Sequence, residues 1–143
     1  MMKLIATFGL VAVLLAAAAC GSSGSGDAAD TGREIKSGKV GNLTVSLSNA
    51  EGVLKQGDEE FFVTFKDASG KPVDVGSASL NFYMPAMGTM PAMNDPATLT
   101  TTSTPGVYGA KAKIEMAGEW QAQVAFEGPA GNAKGSFPVT AQR

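Results

Sequence analysis

The chain has 143 residues, of which 44 % are hydrophobic, and its formal net charge at pH 7 is −2. This length allows one domain and some additional chain, and the apolar fraction is enough for a packed core. The slightly acidic balance and the absence of a basic cluster argue against nucleic-acid binding.

Residues 1–19 have the pattern of a signal peptide. Lys3 gives a short basic start, and the following residues to Ala19 are apolar apart from Thr7 and Gly9. Because this stretch is short for a membrane span of roughly 20 residues, we predict secretion and cleavage, with an uncleaved anchor as the alternative.

The segment Ala17-Ala18-Ala19-Cys20-Gly21 resembles a bacterial lipoprotein box, although alanine stands at the position where leucine is usual. We therefore predict that Cys20 carries a lipid anchor and that the protein is extracytoplasmic, held at the cell envelope. Ordinary cleavage near Ala19, leaving a free thiol, is the alternative. Since Cys20 is the only cysteine, no intramolecular disulfide can form.

Residues 20–38 begin with a Gly/Ser run and are predicted to be a flexible tether. From residue 39 to 143, apolar residues recur with a period of two, in short runs separated by Gly- and Pro-containing turns. We predict an all-β domain, an immunoglobulin-like β-sandwich of about seven strands. The predicted inward sets include Leu43 with Val45 and Leu47, Phe61 with Val63 and Phe65, Leu80 with Phe82, Tyr108 to Met116, Trp120 to Phe126, and Phe137 with Val139.

One short segment between two of these strands holds four of the seven methionines: Met84, Met87, Met90 and Met93. Thioether sulfur is a soft, uncharged ligand that selects Cu(I) over harder cations. The chain has no histidine and a single cysteine, so it has few other groups that could hold a transition metal. We predict that these four methionines bind Cu(I).

The backbone decides whether these sulfurs can converge. An extended polyproline run would spread them over about 28 Å, and a helix would be broken by Pro91. A reversal at Gly88-Thr89 would bring the two Met-Pro-Ala-Met arms together around one ion. The alternatives are an adaptable protein-binding surface and plain packing.

Met116 and Trp120 fit their strand alternation, and core packing is the first interpretation of both. The second interpretation makes Met116 a further copper ligand and places the Trp120 indole against the ion through its π face. Asp95 could lend charge to the site. Catalysis is not expected, because the chain lacks histidine, a cysteine within the folded domain and a nucleophile motif.

Three motifs together resemble the YtkA-like domain family: Phe82 to Gly88 with its Met-Pro-x-Met, Gly106-Val107-Tyr108, and Met116-Ala117-Gly118-Glu119-Trp120. The resemblance covers residues 39 to 140. It implies an extracytoplasmic immunoglobulin-like sandwich associated with copper handling, akin to FixH-type oxidase assembly factors and to domains attached to metal-efflux adaptors. Many relatives carry a histidine near the methionines. Its absence here favours Cu(I), because Cu(II) prefers nitrogen and oxygen ligands.

The sequence thus predicts an extracytoplasmic Cu(I)-binding protein, a copper chaperone or an accessory to oxidase assembly or metal efflux, with a membrane protein of that kind as partner. Two alternatives remain. The methionine segment docks a membrane partner without metal, or the protein is a structural envelope lipoprotein.

Overall fold

The computed structural model describes residues 30–143. The predicted signal peptide, the lipidation at Cys20 and the tether up to residue 29 lie outside the described residues.

The described chain is built from β-strands joined by turns, which confirms the all-β prediction. Residues 30–143 contain no helix, and accordingly none that is long and apolar enough to cross a membrane. The strands are β1 (Arg33–Val40), β2 (Leu43–Asn49), β3 (Leu54–Lys55), β4 (Gly57–Lys66), β5 (Ser77–Met84), β6 (Met93–Thr101), β7 (Val107–Ile114), β8 (Gly118–Gly128) and β9 (Gly131–Gln142).

These strands form a continuous sheet in the order β1-β2-β4-β7-β6-β5-β8-β9-β3, folded into two layers. Strand β6 passes from one layer to the other. Its first half, to Ala97, pairs with β5, and its second half, from Thr98, pairs with β7. Each half is paired on one side only, which accommodates Pro96, a residue that cannot donate to a second neighbour.

The other side of the sandwich is closed by β1 against β9. A Cβ on Gly38 would lie 2.5 Å from the ring of Phe137, so only glycine lets these strands approach as they do. The sheet is therefore nearly closed, which limits exposed edges.

The core lies between the two layers and consists of the inward residues that the alternation predicts. Trp120, Phe65, Phe82 and Leu47 are among the largest fully buried side chains. Phe65 packs edge-on against both Tyr108 and Phe126. The period-two pattern therefore identified the faces correctly.

Two strands were not anticipated. Strand β1 starts at Arg33, within the segment that composition assigned to the tether, and β3 has only two residues. β1 lacks apolar alternation because it is an edge strand, exposed at Arg33, Glu34 and Lys36. The predicted strand through Met116 is also shorter, since β7 ends at Ile114.

The Gly-x-Tyr motif supports this fold. Gly106 has φ +85°, and a Cβ there would lie 2.5 Å from the backbone N and O of Val73. The Tyr108 hydroxyl donates a hydrogen bond to the Gly76 carbonyl at 2.8 Å. Both contacts hold the loop before β5, so this motif has a structural role.

Candidate metal centre

The methionine segment is a β-hairpin whose tip is Gly88-Thr89. The N–H of Met87 donates to the Met90 carbonyl at 3.1 Å, and the N–H of Met90 donates back to the Met87 carbonyl at 2.9 Å. Gly88 has φ +57°, the conformation that the first central position of a tight hairpin turn requires. The predicted reversal is confirmed.

The hairpin keeps a single register from its tip to its base. Met87 pairs with Met90, and Met84 pairs with Met93 at the ends of β5 and β6. Between these pairs lie the two Pro-Ala dipeptides, which are not assigned to a strand. Proline lacks an N–H, so Pro85 interrupts the ladder at a hydrogen-bonded position, whereas Pro91 falls at a non-hydrogen-bonded position, and both keep their arms extended.

The spacing of three residues places the two methionine pairs on opposite sides of the hairpin, because successive side chains alternate. Met84 is 2 % exposed and Met93 is half-buried against the core, whereas Met87 is 56 % and Met90 40 % exposed. The structure thus brings together Met84 with Met93, and Met87 with Met90. It does not gather all four into the single ring that the sequence analysis expected.

The inner pair continues a row of side chains across the sheet. Tyr83 pairs with Gln121 of β8, so the same register extended by one residue sets Met84 beside Trp120. Gly118, at the start of β8, leaves room for the tip of Met84. A Cβ at this position would lie 3.2 Å from the Met84 Cε. The Met-Pro-x-Met and Met-x-Gly-x-Trp motifs therefore meet in the fold.

Met116 and Trp120 lie at the same corner. Trp120 is fully buried, as its strand alternation predicts, and its Nε1–H donates to the Met116 carbonyl at 3.0 Å. Met116 lies in the turn between β7 and β8, half-buried against the core. This hydrogen bond fixes the backbone of Met116 relative to the indole.

Asp95 has a role that the sequence analysis missed. The residue is 6 % exposed, and its Oδ2 accepts a hydrogen bond from the backbone N–H of Glu115 at 3.0 Å. Asp95 follows Met93 by two residues on the inward face of β6. It therefore ties the turn carrying Met116 to the strand carrying Met93. The sequence carried a signal for this role, because Asp95 has the same parity as Met93 and Ala97 and therefore lies on the inward face of β6.

Two rows of the outward face of the sheet near the hairpin carry no charged side chain, while the exposed Glu119 of β8 lies one row closer to the hairpin. The Asn81 amide donates to the side-chain oxygens of Asn94 at 3.1 Å and Gln123 at 3.0 Å, which links three strands. By the strand registers, the two rows are Asn94, Tyr83, Gln121 and Pro138, and then Pro96, Asn81, Gln123 and Ser136.

Thioethers are the soft metal-binding groups that this corner offers, next to the buried carboxylate of Asp95. No group of three or more His, Cys, Asp or Glu side chains within residues 30–143 is arranged to hold a metal ion. The candidate donors are instead Met84, Met93 and Met116, which lie on two strands and a turn around the Trp120 indole. This donor set is neutral and soft, and it fits a monovalent soft cation such as Cu(I).

The fold and the hairpin define an all-β, sandwich-like domain with a methionine-lined corner. A family model described as YtkA-like matches residues 38–125, more than half of the chain, and the protein belongs to this family. The match includes the whole hairpin, Met116 and Trp120. No curated protein and no solved structure matches the chain significantly.

Proposed function

We propose that this protein binds Cu(I) outside the cytoplasm through the methionine hairpin and passes it to a membrane protein, as a copper chaperone or an accessory to oxidase assembly or metal efflux. The observation that carries the proposal is the pairing of Met84 with Met93 and of Met87 with Met90 across one hairpin. A Cu(I) ion needs several soft donors at one place, and this pairing supplies two sulfur atoms on each face of the hairpin.

The hairpin is also largely preorganised. Its tip is closed by two reciprocal backbone hydrogen bonds, and a proline stiffens each arm. Ligands already held near each other lose less conformational entropy when an ion binds. Because thioethers carry no proton near neutrality, uptake does not compete with protonation.

The exposure of Met87 and Met90 supports transfer. Copper exchange between proteins requires donor atoms that the acceptor's ligands can reach, and these two side chains are 56 % and 40 % exposed. The predicted signal peptide and the lipid anchor at Cys20 would place the hairpin beside the membrane, where such an acceptor lies. The family resemblance to proteins of copper handling points the same way.

The test is a Cu(I) titration under reducing conditions against a chromogenic chelator. The protein is the chain without residues 1–19, with Cys20→Ser so that the thiol cannot bind copper. The matched variant carries leucine at Met84, Met87, Met90 and Met93. Leucine keeps the volume and apolar character but removes the sulfur, and such swaps usually cost less than about 1.5 kcal/mol each.

We expect saturable copper uptake by the parent protein and its loss in the four-leucine variant. Unfolding curves of both proteins check that the fold is retained. Uptake that is equal in the two proteins, or absent from both, would discard the proposal.

The second candidate function is docking to a membrane protein without metal. Among residues 30–143, the exposed large hydrophobic side chains are those of Met87 and Met90, and they lie on the same face as the two uncharged rows of β5 and β8, with Glu119 at the border. Interface centres are depleted of charge and enriched in methionine and tyrosine. This observation favours docking as the runner-up.

Leucine and lysine substitutions separate the two functions. Leucine at Met87 and Met90 preserves an apolar surface, so docking tolerates it, while lysine abolishes docking. If Met87 and Met90 pass copper to an acceptor, both changes remove the same two sulfur atoms and should slow copper release to the chelator equally. Cross-linking of the anchored protein in its own membranes reads out docking, and the chelator titration reads out copper.

A further inference from the structure

We infer, on the basis of the proposed function, that Cu(I) is held at the corner of the sandwich by the thioethers of Met84, Met93 and Met116, against the indole of Trp120. Met87 and Met90, which are exposed on the other face of the hairpin, are outside this donor set. This donor set differs from the four hairpin methionines that the sequence predicts, because it includes a residue from another turn.

The first support is the convergence of three separate chain segments. Met93 lies on β6, Met84 is opposite it on β5, and Trp120 is next in the row on β8. The Met84 Cε lies so close to Gly118 that an added Cβ would be at 3.2 Å. The sulfur of Met84 is one bond from that methyl, so it lies at this junction.

The second support is that two hydrogen bonds fix the turn that carries Met116. The Trp120 Nε1–H donates to the Met116 carbonyl at 3.0 Å, and the N–H of Glu115 donates to Asp95 at 3.0 Å. One bond ties the turn to β8 and the other ties it to β6. Residues that orient ligands in this way are a regular part of metal sites. Asp95 is accordingly a positioning residue here.

The third support is the environment of the corner. Met84 and Trp120 are almost completely buried, while Met93 and Met116 are half-buried at its rim. A monovalent ion with neutral ligands loses less hydration free energy in such a place than a divalent ion. An indole face attracts a desolvated cation more strongly than an exposed one. The corner therefore favours Cu(I), and its analogue Ag(I), over divalent metals.

The test uses Trp120 as a reporter, since it is the only tryptophan of the chain. The protein lacking residues 1–19, with Cys20→Ser, is titrated with Ag(I), which shares the soft preference of Cu(I) and undergoes no redox change. Indole fluorescence and bound silver are measured on the same samples. We expect a saturable fluorescence change that is complete at about one ion per chain, the capacity of one such site.

The decisive variant is Met116→Leu, because Met116 is outside the hairpin. We expect it to weaken Ag(I) binding at least about 10-fold and to reduce the fluorescence change. The triple variant Met84→Leu/Met93→Leu/Met116→Leu should lose more than about 100-fold, beyond the usual cost of losing only a supporting residue. The matched control, Met87→Leu/Met90→Leu, should lose less than about 10-fold and keep the fluorescence change.

The outcomes separate this inference from the proposed function. If the parent protein takes up no soft metal, the proposed function itself fails. If uptake depends on Met87 and Met90 while Met116→Leu changes neither affinity nor fluorescence, copper binds at the tip and the corner site is wrong. Unfolding curves check that each leucine variant is folded. Asp95→Asn adds a further check, because asparagine can still accept the Glu115 hydrogen bond and should preserve binding.

Discussion

Replacing Gly118 with alanine perturbs the contact that joins the two methionine motifs. Gly118 has φ +145°, which L side chains rarely adopt, and its Cβ would lie 3.2 Å from the Met84 Cε. Carbon atoms pack best at about 3.5–4.0 Å, so the Met84 methyl must move by a few tenths of an ångström. Overpacking of this kind costs about 1–3 kcal/mol, and an unfavourable φ costs about 1 kcal/mol more. We expect Gly118→Ala to lower the free energy of unfolding by about 2–4 kcal/mol.

A double-mutant cycle with Met84→Leu isolates the contact. Leucine lacks the terminal methyl that meets the new Cβ, so the steric part of the cost should disappear while the backbone part remains. We expect an interaction energy of about 1 kcal/mol, measured by urea unfolding of the four proteins. Gly88→Ala is the matched control, since its Cβ would meet nothing within 4 Å. Additivity within about 0.5 kcal/mol for Gly118 as well as for Gly88 would refute the proximity of the motifs.

Three further predictions concern Gly106, Tyr108 and the pH dependence of soft-metal binding. Gly106→Ala should cost about 3 kcal/mol or more, because its Cβ would lie 2.5 Å from the backbone of Val73, whereas Gly88→Ala should cost about 1–2 kcal/mol. Similar losses in thermal melting would contradict the steric reasoning. Burial, and secondarily the charge of Asp74, raises the pKa of Tyr108, so the folded state keeps this proton when the unfolded state releases it near pH 10. The corresponding stability is present below about pH 10 and falls as the pH rises above it. Tyr108→Phe should flatten this alkaline decline in urea midpoints, and an unchanged slope would argue against it. Soft-metal affinity should be nearly constant between about pH 5 and 8, because thioethers carry no proton. A drop of more than about 10-fold in acid, measured by Ag(I) competition, would reveal a protonating ligand.

The alternation of apolar residues was sufficient to predict the buried faces, but not the first strand. β2 and β4 carry regular inward sets, and these sets form the core. β1 joins the sheet through its backbone and through a polar contact, in which the Ser46 hydroxyl donates to Glu34 at 2.9 Å. A strand at an edge needs no apolar periodicity, so its polar sequence resembled that of a tether. β3, with two residues, is too short for any periodicity.

The chain reversal of the candidate site was predictable from the sequence, but the faces that its two methionine pairs occupy were not. A glycine between two similar arms indicated a reversal, and Gly88 adopts the required positive φ. The prediction of one four-sulfur ring took account of which residues lie opposite each other. It did not take account of the face that each pair occupies. The turn that carries Met116 is held by the hydrogen bond from Glu115 to Asp95, and the place of Met84 depends on the space at Gly118. Both are long-range contacts that local sequence does not encode.

The Met-x-x-Met spacing has a consequence in a hairpin that it would not have in a helix. Residues three apart share a face of a helix, but they occupy opposite faces of an extended arm. With a two-residue turn, each arm therefore contributes one sulfur to the inner face and one to the outer face. The inner pair borders a core that can exclude water from a bound ion, and the outer pair remains accessible to an acceptor. An even spacing would place all four sulfurs on one face. Binding and exchange of copper would then share a single location. On the proposed function, the odd spacing is what allows one short hairpin both to hold an ion and to release it.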